Sequence, residues 1–425
     1  MRKHRIKRNI FVICLLSMAL LSGCGQRFGA FGQELEGIIQ ELGDLGKQSF
    51  QETQKEDDLD GVQGEAAQDT ENSSGDTSLD QQSELSQLAE QAGVEQYAYG
   101  QLSKEGQQTY LQMLSAILSY EEKVTLEIRD TELMKTAYAA LTSDHGELFW
   151  VEGYSFTRYT KGTELVGLIF APNYTMTKAE METKQRQVEA VAAEWLSGSS
   201  SSASDYEKAK YVFETLIARV DYVEGAADSQ NILSVFLNRQ TVCQGYACAT
   251  QYLLRQLGVS SSVIPGEADD GTGGGLHAWN LVKLDGAYYY MDTTWGNGAY
   301  RMEESGEQGK FVNYNFLCMT DGEAMCFYRP DQQFALPECS SMENNYYVRE
   351  GLYFDSWDSE AMGAVLRAAW ENGSGTASIK CADAELCAAV KDYFITQRRI
   401  ADYCRGIESV YYMEALEFCV ITVNF

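Results

Sequence analysis

The chain has 425 residues, with 33 Lys+Arg against 62 Asp+Glu and a formal net charge of −29. A surface of that sign repels phosphate backbones and argues against DNA or RNA as partners; it suits solubility outside the cell and cationic ligands. The length accommodates two or three domains.

The first element in chain order is a leader. Arg2, Lys3, Arg5, Lys7 and Arg8 precede an apolar run over 10–21, followed by Leu21-Ser22-Gly23-Cys24. A basic cluster, a short apolar run and small residues before a cut site read as an export signal. The run is too short for a good membrane span, and no later stretch approaches about 20 apolar residues. Cys24 ends a sequence similar to a bacterial lipobox, in which the thiol is acylated and the peptide is cut just before it. Two or more acyl chains give a stable anchor. Residues 1–24 are therefore expected to be a lipoprotein signal peptide, with Cys24 as the lipidation site. The mature chain is expected at the extracytoplasmic face of the cell membrane. An ordinary secretory signal is the alternative.

Residues 25–95 are rich in Gln, Glu, Asp, Gly and Ser, with few aromatics between Phe50 and Tyr97. Such a segment buries too little apolar area to offset chain entropy, and reads as a disordered acidic tether. A short helix within 33–48 is compatible with Leu35, Ile38, Ile39 and Leu42. Order is expected from near Tyr97. Tyr110, Leu111, Leu114, Ile117 and Leu118 recur at helical spacing, as do Leu133, Met134, Ala137, Tyr138 and Leu141. Residues 148–151, 154–159 and 165–170 read as strands, the last two pairing near Lys161-Gly162. Thr177-Lys178-Ala179-Glu180 has capping-box spacing and opens a helix to about Leu196. The Ser-rich stretch 197–204 closes an N-terminal α+β region, 96–198.

A helix over 206–220 and another within 241–258 come next. Strands at 276–284 and 287–294 then join at Asp285-Gly286, within a core spanning 205–330. From about Tyr346 the pattern reads strand (346–354), helix (358–371), strand (376–381), helix (383–402), then one or two strands. That is a small C-terminal unit, 340–425, with an antiparallel sheet. The expected fold class is α+β.

Eleven cysteines are present. Setting aside Cys14 and Cys24 leaves an odd number, so at least one thiol is unpaired in an exported chain. None lies in a C-x-x-C pair and His is scarce, so a structural zinc site is not expected; no metal and no cofactor are expected. Mostly free, buried thiols are expected.

Only three histidines occur. His4 is in the leader, so imidazole chemistry has His145 and His277 to choose from. Cys243 sits in Thr241-Val242-Cys243-Gln244-Gly245-Tyr246-Ala247. Tyr246, Thr250, Leu253, Leu254 and Leu257 then recur at helical spacing, which places Cys243 at a helix start. Unpaired N–H groups there favour a thiolate, the nucleophile that acyl transfer requires. A buried core cysteine is the alternative. His277 opens one strand of the Asp285-Gly286 hairpin and Asp292 ends the other. With Leu284 opposite Ala287, residues 277, 279 and 292 share a face. His277 and Asp292 are then diagonal neighbours, about 7 Å apart along the backbone. A carboxylate so placed holds an imidazole in one tautomer and stabilises its cation. A polar pair on a solvated hairpin is the alternative.

These residues resemble a family. VCQGYA around Cys243, LHAWNLVKLDG around His277 and YYYMDTTWG around Asp292 are similar, in order and spacing, to the bacterial transglutaminase-like core of the papain-like cysteine enzymes. The resemblance covers 206–297. Asp144-His145-Gly146-Glu147-Leu148-Phe149-Trp150 is more loosely similar to a segment upstream of that core in such lipoproteins. Asn297 stands where many relatives carry Asp. The resemblance implies Cys243 as nucleophile, His277 as base and acid, and Asp292 as orienter.

The Cys243 backbone N–H is one expected oxyanion donor. Gln230, Asn231 and Gln240 are candidates for the second, with Asn231 favoured. Trp279, Tyr288 and Trp295 are candidate cleft residues, and His145 is expected to be structural. The expected activity is acyl transfer through a Cys243 thioester, without cofactor, on peptide or protein substrates that are cationic or derived from the cell wall. Resolution by water makes a peptidase or amidase, the default. Resolution by an amine makes a crosslinking transglutaminase. A non-catalytic surface binding module is the remaining alternative.

Overall fold

The computed structural model describes residues 54–56, 95–271, 274–298, 311–331 and 333–425. The leader, Cys24, the 33–48 helix and most of the 25–95 segment lie outside these residues. Within that segment, β1 (Gln54–Glu56) pairs in parallel with residues 156–158.

The N-terminal region is built by well-capped helices over a small sheet. After α1 (Tyr97–Gly100), Ser103 caps α2 (Lys104–Ser119), whose inner face buries Tyr110, Leu111, Leu114 and Ile117. β2 (Val124–Leu126) follows, and Asp130 then accepts two backbone N–H groups at the start of α3 (Thr131–Asp144). Residues 148–150 are turns rather than the expected strand; pairing starts with β3 (Val151–Lys161), which runs antiparallel to β4 (Glu164–Tyr174). The sheet order is β1-β3-β4-β2. Both halves of the Thr177–Glu180 capping box form at the start of α4 (Lys178–Leu196).

The core follows the Ser-rich turn. Ser204 and Glu207 box the start of α5 (Asp205–Arg219). Short parallel strands β5 (Asp221–Tyr222) and β6 (Gln240–Thr241) lead into α6 (Cys243–Gln256). Every residue of α6 from Gly245 to Leu254 is buried, so this is an interior helix rather than an amphipathic surface one. It packs against β7 (Ser260–Ala268) and β8 (Gly275–Leu284). β9 (Ala287–Met291), α7 (Thr293–Gly296), α8 (Asp321–Ala324) and β10 (Tyr328–Pro330) complete the unit. The antiparallel sheet has the order β10-β7-β8-β9.

The β8–β9 hairpin turns on Asp285 and Gly286, both at positive φ (53° and 88°), as a two-residue type I′ turn requires. Leu284 opposes Ala287 as expected, and pairing runs to Asn280 opposite Met291. There it stops. Residues 292–294 are not strand: Asp292 turns out of the ladder and caps α7.

The C-terminal part departs from expectation at two places. Residues 346–354 hold a one-turn helix, α9 (Tyr346–Arg349), started by the Asn345 side chain, and a two-residue strand, β11 (Tyr353–Phe354). The expected 383–402 helix is α11 (Ala384–Lys391) followed by a π turn and a 3-10 turn. Before it come α10 (Ser359–Glu371) and β12 (Thr376–Cys381); after it come β13 (Tyr411–Ala415) and β14 (Val420–Asn424). The sheet order is β11-β12-β14-β13, antiparallel except for β11. This unit has an apolar cluster of its own around Met362, Leu366, Ile379, Phe394 and Ile421. A larger cluster joins the N-terminal region to the core. The fold class is α+β.

Candidate active site

Helix α6 and the β8–β9 hairpin carry the three residues, and polar bonds fix one against the other. Asn280 donates to the Ala247 carbonyl (3.0 Å), and the Thr250 and Thr293 hydroxyls meet at 2.8 Å. Asn297 donates to the Tyr246 hydroxyl (3.1 Å), which donates to the Val220 carbonyl (2.8 Å). The loop after the hairpin is thereby tied to α6. Gly245 is needed for close approach: a Cβ there would lie 1.9 Å from the Thr241 Oγ1.

Cys243 is the first residue of α6 and is partly exposed. Val242 precedes it with no side-chain cap, so no side chain claims the first-turn N–H groups. They remain available to an anion.

His277 is nearly buried, its side chain 8 % exposed. Its Nε2 faces the Asp292 Oδ2 at 2.8 Å. The ring also interacts electrostatically with the Cys243 thiol at the start of α6. Burial works against the imidazolium, but the Asp292 carboxylate and the thiol outweigh it and raise the pKa to about 10. Tyr328, Trp279 and Trp295 surround the ring, with centroids at 5.9, 6.1 and 5.3 Å.

Asp292 is 1 % exposed and fully engaged. Oδ1 accepts the Thr294 and Trp295 backbone N–H groups (2.9 and 3.1 Å). Oδ2 accepts from His277 and from the Tyr328 hydroxyl (2.6 Å). The carboxylate therefore serves at once as helix cap and as histidine partner.

Tyr328 escaped the sequence reading. It reaches Asp292 from β10, where its strand pairs with the far edge of β7, in a segment without a motif. The one available signal was its place among Phe327, Tyr328 and Arg329, a strand-like run following the core hairpin.

The remaining candidates are placed as follows. Trp279 has no exposed surface and stacks on Tyr328 at 4.5 Å, so it is a floor behind His277 and not an open cleft wall. Trp295 is 9 % exposed and packs on His277, Phe316 and Phe327. Tyr288 turns to Glu95 and Tyr97, away from the site. The Asn231 Oδ1 accepts the Leu233 N–H (2.9 Å); Asn231 and Gln230 line a cavity on the Gln244 side of α6. Gln240 is exposed on β6. His145, 9 % exposed, bonds Glu147 (2.7 Å) and Gln96 (3.2 Å). Cys24 lies outside the described residues. Among the described residues nine cysteines are free, and all but Cys243, Cys326 and Cys419 are buried.

Residues 190–293 match the family model of the transglutaminase-like superfamily. The kyphoscoliosis peptidases of Mus musculus and Homo sapiens are 27 % and 26 % identical over 108 residues, which is 22 % of this chain. The chain spans about 16 % of the length of these curated relatives. A solved transglutaminase structure aligns with 40 % of this chain and 50 % of its own, at 14 % identity and a TM-score of 0.25. The chain carries a transglutaminase-like domain over residues 190–293.

Proposed function

We propose that this transglutaminase-like domain is an acyl-transfer enzyme with Cys243 as nucleophile, His277 as acid and base, and Asp292 as orienter. The observation that carries the reading is one buried imidazole with two partners: its Nε2 meets the Asp292 carboxylate at 2.8 Å, and the ring interacts with the Cys243 thiol at an uncapped helix start.

With its pKa raised to about 10, His277 is an imidazolium at neutral pH, and a cation beside a thiol favours the thiolate. The thiolate attacks a carbonyl carbon. The oxyanion that forms is met by the free N–H groups of the first turn of α6. His277 gives its proton to the leaving amine, the C–N bond breaks, and a thioester remains. His277, now neutral, takes a proton from water as the water attacks. The thiolate leaves, and the product is a carboxylic acid.

Hydrolysis of surface or cell-wall peptides is the favoured outcome. The second outcome, transfer to an amine, is favoured by the net charge of −29, which concentrates cationic amines. Incubation of a peptide library with excess labelled primary amine, read by mass spectrometry, separates them. Hydrolysis exceeding incorporation, both lost in Cys243→Ala, is expected; incorporation in excess makes the enzyme a transferase. Neither product, with Cys243 inert to iodoacetamide, leaves a binding module.

The location belongs to the same proposal. The basic cluster, the short apolar run and Cys24 support a lipid anchor facing out of the cell. No described helix is long and apolar enough to cross a membrane. Cys24→Ala is expected to release the protein from the membrane fraction or block its processing; normal fractionation would count against the anchor.

A further inference from the structure

The Asp144–Trp150 motif has no part in the triad, yet it forms one wall of a cavity of about 120 Å³. Residues of α2, α3 and the 145–151 loop supply that side; Gln230, Asn231, Gln244 and Cys248 supply the other. The loop is held hard against α6. The Gly146 N–H donates to the Gln251 Oε1 (2.7 Å), and Gln251 donates to the Ser143 and Ser261 carbonyls (2.6 and 2.9 Å). The cavity adjoins the proposed nucleophile. Gln244 follows Cys243 in the chain, and the Cys248 thiol, one turn on, lies within electrostatic range of the Cys243 thiol.

Two properties of the lining define what fits. First, among the described residues no Asp, Glu, Lys or Arg lines the cavity, on a chain where 22 % of residues are charged. His145 is the one titratable imidazole in the wall, and its two nitrogens are already bonded to Glu147 and Gln96. A charged group entering would lose hydration and find no Asp, Glu, Lys or Arg side chain in the lining to pair with, which is costly. Second, Leu141, Leu148 and Phe149 give apolar walls while three carboxamides converge. Of these, Asn231 uses Oδ1 on Leu233 and Gln244 uses Nε2 on Cys248. Among the described residues no protein bond is formed by the Asn231 Nδ2, the Gln244 Oε1 or the Gln230 carboxamide. The lining residues therefore keep both a donor and an acceptor that no other protein group engages.

We propose that this cavity is a specificity pocket for an uncharged side chain with an apolar stem, built jointly by the N-terminal region and the catalytic helix. Its role in substrate choice rests on the catalytic reading above; its ligand preference does not. The N-terminal region thereby acquires a function: it selects what is presented beside Cys243.

The test is direct binding to the full chain carrying Cys243→Ala, by ligand-observed NMR with the N-acetyl amides of Gln, Met, Glu and Lys. The Gln and Met amides are expected to bind roughly tenfold or more tighter than the Glu and Lys amides. Thr142→Phe, at an exposed position of α3 on the cavity rim, is expected to erase the difference. Gln230→Leu is expected to weaken the Gln amide while sparing the Met amide. Equal binding of all four probes, or a preference that survives Thr142→Phe in a folded protein, overturns the proposal. Iodoacetamide labelling of unmodified Cys243 is read separately: an inert thiol sinks the catalytic reading, and the binding result still judges the pocket.

Discussion

The molecule contains two histidine–carboxylate pairs of nearly equal geometry. His277 meets Asp292 at 2.8 Å and His145 meets Glu147 at 2.7 Å, with both imidazoles almost buried. They differ in what else touches them. Glu147 also binds the Arg255 guanidinium (2.7 Å), and the second nitrogen of His145 is taken by Gln96. That cluster is closed, and it fastens the N-terminal region to α6. In the other pair the ring interacts with the Cys243 thiol at a helix start, and the carboxylate's further partners are neutral N–H and O–H donors. A histidine–carboxylate contact is thus no mark of catalysis in itself. On the proposed reading, the thiol beside His277 makes the difference.

The largest test exchanges the two. His277→Ala is expected to lower turnover by about a thousandfold, the usual scale for a lost general acid–base group, with the fold retained. His145→Gln is expected to leave kcat within a small factor and to cost roughly 1–3 kcal/mol of stability, since Glu147 and Gln96 lose a buried partner. Turnover measured beside urea unfolding separates them. Comparable losses of activity in both variants would break the contrast.

The pairs are also expected to fail at opposite ends of the pH scale. The His277 pKa is raised from 6.5 to about 10, so its contribution to stability is complete below 6.5 and is lost as pH rises toward 10. Glu147 is buried, which opposes ionisation, but His145 and Arg255 hold its pKa down to about 2. Its contribution is complete above the ordinary 4.5 and is lost as pH falls toward 2. Asp144, raised by burial, offsets part of that acid loss. Denaturant unfolding across pH should show the gap between wild type and His277→Gln closing in alkali. The gap between wild type and Glu147→Gln should close in acid. Gaps that stay constant would mean that neither pair is linked to folding as described.

Much of this was legible in the chain. The Asp285-Gly286 turn sets the register through Leu284 and Ala287, and periodicity with Gly258 places Cys243 at a helix start. The two-residue alternation extended the ladder too far, because Asp292 satisfies the N–H groups of Thr294 and Trp295 better by leaving it. Tyr346-Tyr347-Val348 reads as strand by propensity, but the Asn345 side chain starts a helical turn there. Tyr328 was beyond local reading. Its contact with Asp292 spans 36 residues and depends on β10 reaching β7.

Tyr328 sharpens the comparison most finely, because it is the counterpart of Arg255. Each carboxylate has one partner besides its histidine that comes from a distant part of the chain. For Glu147 it is a cation, which neutralises the carboxylate and competes with His145 for its charge. For Asp292 it is a phenol, which fixes Oδ2 by a 2.6 Å hydrogen bond and leaves the negative charge to the imidazolium. Removing that hydroxyl leaves Oδ2 with His277 as its one remaining side-chain partner. Tyr328→Phe is therefore expected to loosen the His277 ring and to lower kcat about tenfold, equivalent to one hydrogen bond to a charged group. KM should change little, since the phenol is buried behind the histidine and has no exposed surface for substrate. The distinguishing readout is the alkaline limb of the pH–kcat profile. A positioning role requires that limb to move in Tyr328→Phe, because the hydroxyl acts through the Asp292–His277 pair. Loss of stability with the limb and kcat unmoved would reduce Tyr328 to packing, and the contrast with Arg255 would lose its meaning.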